Sequence, residues 1–122
     1  MIRYNHAPDV KADIEMLVDR LAMGHVDKRR VACIRSVGSG SRRIIARCHV
    51  VPRIIQKALG IDAYYVIEVI AEKFDRLSKD EQTKTLIHEL MHIPKSFGGG
   101  FRHHDYVSHE NVEKIFNRLG QV

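Results

Sequence analysis

The chain has 122 residues, 44% of them apolar and 29% charged, the proportions of a soluble globular protein rather than a disordered or collagen-like one. At this length folding buries about two-thirds of the unfolded surface, so one core can form without disulfide staples and a second domain has little room. Twenty Lys and Arg against fifteen Asp and Glu leave +5, a balance that suits polyanions or acidic surfaces without requiring them.

The opening stretch MIRYNHAPDVKADIE holds no apolar h-region, so no secretory signal is read and the cytoplasm is the expected compartment. Pro8 and Asp9 start a helix with Val10, Ile14, Leu17, Val18 and Leu21 on one face, closed by Gly24. VACIRSV (31–37) and RIIARCHV (43–50) flank the turn GSGSR, and two β-rich runs around such a turn predict a hairpin. Cys33 and Cys48 form no CxxC pair. They read as reduced core residues, facing one another across that hairpin.

Pro52 ends the second strand and RIIQKALG makes a short helix with Gly60 as its stop. AYYVIEVI (63–70) reads as a third strand, rich in β-branched and aromatic residues. Ser78, three residues ahead of Glu81, marks the start of a helix through TKTLIHELMHI that Pro94 terminates. Phe97 and Gly98–Gly100 follow as a flexible loop. Ser108 then caps a helix with Val112, Ile115, Phe116 and Leu119 inward and Gly120 as its stop. The longest apolar runs, near 31–34 and 61–71, fall short of the ~20 residues a spanning helix needs, so no membrane partner is expected. The expected fold is a single α+β domain over 1–122, a small mostly antiparallel sheet packed with N-terminal, HExxH and C-terminal helices.

Five of the eight histidines crowd between His88 and His109, a local enrichment that points to metal. The informative string is HELMH, His88 to His92. Positions four apart share one helix face, so both imidazoles reach a single ion. Glu89, next to the first ligand, falls beside the open coordination position. There it can take a proton from water and hand it to a leaving amine. Zinc is the expected cofactor, one per chain, since a catalytic site takes three protein ligands and a water. The bland alternative is two exposed histidines one turn apart on an ordinary core helix.

HELMHIPKSFGGGFRHHDYV resembles the signature of the metallopeptidases of archaea and phages, in which HELxHIP precedes a glycine-containing loop, Arg and His. RVACIRSVGSGSRR, VPRIIQKALG and YYVIEVIAEKFDRLSKDEQ are similar to archaeal members, so the resemblance spans roughly residues 26–116. It implies a compact zincin-like fold, distantly similar to SprT-like proteases, and a zinc-dependent peptidase acting on peptide or protein. It also implies that His104 is the third ligand after His88 and His92, with Glu89 as general base and acid. His103 intervenes in this chain, and His109, Glu110 and Glu113 are the other candidates.

Tyr106, Arg102, His103 or His109 could stabilise the oxyanion of the attacked carbonyl. AYYVIEVI is the element expected to line the cleft and add an extended substrate along an exposed edge. Arg42, Arg43, Arg47, Arg53 and Lys57 form a basic run that could meet nucleic acid, although no aromatic residues interleave it. Two rival readings remain. One is a non-catalytic zinc-binding or nucleic-acid-associated module, for which Glu89 would have no use. The other is a latent protease whose terminus, carrying His6 and Asp9, plugs the cleft.

Overall fold

The computed structural model describes residues 1–102 and 106–120. In chain order the elements are β1 (Arg3–His6), α1 (Pro8–Arg20), β2 (Val31–Val37), β3 (Ala46–Val50), α2 (Arg53–Leu59), β4 (Tyr65–Ile70), α3 (Ala71–Phe74), α4 (Lys79–Met91) and α5 (His109–Leu119). The α+β class therefore holds. The four strands form one mixed sheet in the order β1-β2-β4-β3, with β2 and β4 parallel and the other two pairs antiparallel.

That order overturns the expected hairpin: β4 lies between β2 and β3. Cys33 and Cys48 both stand opposite Ile67, on its two sides, so they are not cross-strand neighbours. The physical reason lies in β4. Tyr65, Ile67 and Val69 are fully buried on one face, and Glu68 and Ile70 are buried on the other. A strand covered on both faces belongs inside a sheet, and this requirement outweighs the local turn signal of GSGSR. The 38–45 segment becomes a link across the end of β4, where Ile70 N–H donates to Ile45 O at 2.8 Å. Gly38 N–H donates there to the Glu72 carboxylate at 2.9 Å. Gly38 needs its glycine, because φ is +84° and a Cβ would meet Met1 O at 3.1 Å.

The same order corrects the placement of AYYVIEVI. β4 is interior, and β3 is the edge strand next to the HELMH helix. β1 is an addition. Every residue of RYNH is exposed, so no periodicity announces it; backbone pairing to β2 alone makes it a strand. α1 also ends earlier than Gly24, with the chain turning on Ala22 at φ +53°.

The core fills one side of the sheet. Val10, Ile14 and Leu17 of α1 and Leu86, Ile87 and Leu90 of α4 join Tyr65, Ile67 and Val69 in a single cluster. Each of these aliphatic burials contributes about 1.5–3 kcal/mol. Both thiols are unpaired, and burial pushes Cys33 up to about 11 and Cys48 up to about 12. At neutral pH neither is a thiolate. Among the described residues no helix is long and apolar enough to cross a membrane.

Candidate metal and active site

α4 starts where the sequence places it: Ser78 Oγ accepts Glu81 N–H at 3.2 Å. Leu86, Ile87, Leu90 and Met91 turn into the core, which leaves Thr85, His88, Glu89 and His92 at i, i+3, i+4 and i+7 along the opposite stripe. These four line a groove between α4 and the edge strand β3, with α5 closing one end. At that end the groove holds about 470 Å3 between Ile44, Ala46, Thr85, Lys84, Val112 and Glu113. At the other end it holds about 460 Å3 between Ala46, Cys48, His92, Phe101 and Arg102. His88 and Glu89 belong to both halves.

The two imidazoles converge. His88 Nε2 and His92 Nε2 are 3.3 Å apart. His92 Nδ1 lies 2.8 Å from Arg102 O. A carbonyl oxygen only accepts, so Nδ1 carries the proton and Nε2 presents its lone pair to His88. This is the spacing that two nitrogen ligands of one zinc ion would have. Two nitrogens on bonds of about 2.0–2.1 Å at the tetrahedral angle stand about 3.3–3.4 Å apart, and a ligating histidine usually donates its other N–H to a carbonyl. Glu89 is only 6% exposed, and burial pushes its carboxyl up to about 7. A carboxyl poised near neutrality suits a group that must both accept and return a proton.

The glycine loop after the helix is anchored rather than free. The Tyr65 hydroxyl donates to Gly100 O at 2.8 Å and accepts Gly99 N–H at 3.2 Å. Gln56 Nε2 donates to Val51 O at 2.8 Å and to Gly98 O at 3.4 Å. Gly99 sits at φ +115°, and a Cβ there would come within 2.6 Å of Gln56 Nε2. Phe97 is buried against the Tyr65 ring at 4.9 Å between centroids. The loop thus delivers Arg102 to the end of α4, where its N–H donates to His92 O at 2.8 Å. Tyr65 and Gln56 are positioning residues that the motif did not announce. The available signal was a tyrosine on the inward face of an apolar strand, whose hydroxyl has to find a partner.

His103 and His104 lie outside the described residues, immediately after that anchor. The other candidates are placed. Glu113 lines the groove but pairs with Lys84 at 3.0 Å. His109 is exposed and 3.8 Å from Glu113. Glu110 is exposed and pairs with Lys114 at 3.4 Å. Among the described residues no three His, Cys, Asp or Glu side chains stand close enough to hold a metal.

The Arg102 guanidinium lies 3.4 Å over the Tyr106 ring and lines the groove. His6 sits on β1, at the sheet edge opposite β3, and Asp9 is held by Arg35 at 2.9 Å. In this structure, therefore, the N-terminal strand does not plug the cleft. Of the basic run, all exposed, Arg43 and Arg47 reach the groove.

Comparisons with curated proteins and with solved structures gave no match. The model of one family, described as "Putative phage metallopeptidase", matches residues 2–121. That span is nearly the whole chain, and the HELMH helix lies within it with its two imidazoles turned to a common point. The chain belongs to this metallopeptidase family.

Proposed function

We propose that the protein is a zinc-dependent peptidase in which His88, His92 and His104 hold the ion and Glu89 is the general base and acid. The observation that carries this reading is the 3.3 Å convergence of the two Nε2 atoms beside a buried carboxyl that opens on a groove. Zinc, when bound there, supplies Lewis acidity to a water and to the scissile carbonyl. Glu89 takes the proton of the attacking water on its carboxylate and returns it to the departing nitrogen. His92 keeps its tautomer through the Arg102 carbonyl. β3 offers the substrate its outer edge, which no other strand occupies among the described residues; an extended peptide can add there as a fifth strand.

A purely structural zinc site is the rival, and Glu89 speaks against it. Burying a carboxyl without an opposite charge is costly, and a closed site gains nothing from it. The deciding experiment compares the parent with Glu89→Gln on unstructured polypeptides, both loaded with zinc. Zinc content should be unchanged while hydrolysis falls at least about a hundredfold. A zinc-loaded parent that cleaves no polypeptide, or a variant that cleaves as fast as the parent, overturns the reading.

A further inference from the structure

A peptide added to the edge of β3 must point its side chains alternately to the two faces of the sheet, and here those faces differ chemically. Ala46 and Cys48 lie on the helix side, where Ile44 and Phe101 complete an apolar floor in the groove. Arg47 alternates to the other face, in register with Glu68, and is exposed, while also bordering the groove at the strand edge. His49 shares that outer face but is engaged with Glu68 at 2.8 Å. The Glu68 carboxyl is buried, which alone would raise it, yet the His49 bond and the nearby Ser36 hydroxyl hold it below the usual range. Among the described residues Ser36 Oγ makes no regular hydrogen bond, but it sits close enough to Glu68 to favour the carboxylate. Glu68 is therefore held by its own neighbours, the Arg47 charge among them, and the exposed Arg47 side chain stands at the edge where an added strand would lie. Arg43 and Arg102 line the groove as well.

We infer that the substrate segment is acidic and alternating: apolar side chains turned into the groove, and an Asp or Glu turned outward against Arg47. The inference rests on the peptidase reading for its use of the β3 edge. A nucleic acid is the weaker partner for the same cations. The edge offers peptide N–H and C=O groups for a backbone ladder, which an extended peptide can complete and a nucleic acid cannot.

The test measures binding apart from cleavage. Fluorescent peptides alternating valine with glutamate, glutamine or lysine are titrated against full-length Glu89→Gln protein at low salt, with a single-stranded oligonucleotide as competitor. The glutamate peptide should bind about tenfold tighter than the lysine peptide, the range of an opposed against a like cross-strand charge. Arg47→Glu should reverse the order, and Arg47→Gln should narrow it. Equal affinity for the three peptides, no binding by any of them, or displacement by the oligonucleotide at lower concentration than by the peptide overturns the inference. Charge-selective binding by a protein whose parent cleaves nothing keeps it, and overturns the peptidase reading alone.

Discussion

Tyr65 holds Gly100 through its hydroxyl at 2.8 Å, joining the fully buried centre of the sheet to the loop that ends at Arg102 beside His92. Tyr65→Phe keeps the ring and its edge contact with Phe97 but strands Gly99 N–H and Gly100 O. It should cost about 1–3 kcal/mol in urea unfolding. Zinc should also pass to a competing chelator severalfold more readily, although no ligand is altered.

The ligand set is tested by metal removal. The purified protein should carry one zinc per chain, and His88→Ala or His92→Ala should lose most of it, since the remaining donors cannot close a three-ligand site. His104→Ala should weaken zinc far more than His103→Ala. Glu113→Ala should change little, because that carboxylate is paired with Lys84. Full zinc in both the His88 and His92 variants, measured by metal analysis, would remove the assignment.

Ile67 is 0% exposed between the two strands that flank it. Ile67→Ala should destabilise the fold by about 2–5 kcal/mol, the usual toll of a core truncation that leaves a cavity. Chemical denaturation reads it directly, and a loss below about 1 kcal/mol would mean that the centre of the sheet is less tightly packed than described.

Asp27 is one carboxylate whose protonation should weaken the fold in acid. The Arg29 guanidinium and backbone N–H, joined by Arg30, hold its carboxyl down to about 2, against an ordinary 3.8. A depressed carboxyl stabilises the fold above its unfolded pKa, and that contribution is lost as pH falls through the folded one. Asp27→Asn should therefore lower the Tm of the metal-free protein at neutral pH. The gap to the parent should close between about pH 4 and pH 2. A gap that persists below pH 2 would mean that the Asp27 charge is not what stabilises this turn.

The parts of the fold that the sequence reveals are those whose signals are local. Ser78, Glu81 and Pro94 bracket α4 within a few residues of its true ends, and the i, i+4 spacing of His88 and His92 puts both rings on one face. Strand order is not local. GSGSR is a sound turn sequence, yet the pairing was decided by β4, whose two-sided burial claims the middle position. The anchoring of the glycine loop is not local either. Three successive glycines look like slack, whereas Tyr65 and Gln56, distant in sequence, fasten them. RYNH gave no signal at all, because its exposed side chains carry no pattern and only its backbone pairs.

The parallel pairing of Val31 with Tyr65 makes the centre of the sheet a non-local contact. Residue 31 has to find residue 65 across β3 and α2, a long closure that must be met before any contact repays it. β3 meets β4 over a shorter stretch of chain, Val50 with Tyr65, so that pair can close first; only with β3 and the Tyr65 hydroxyl in place does the groove have a second wall. A fragment spanning the HELMH helix and its loop would keep both histidines but lack the framework that aims them. The convergence of the two imidazoles therefore belongs to the finished domain rather than to the motif alone.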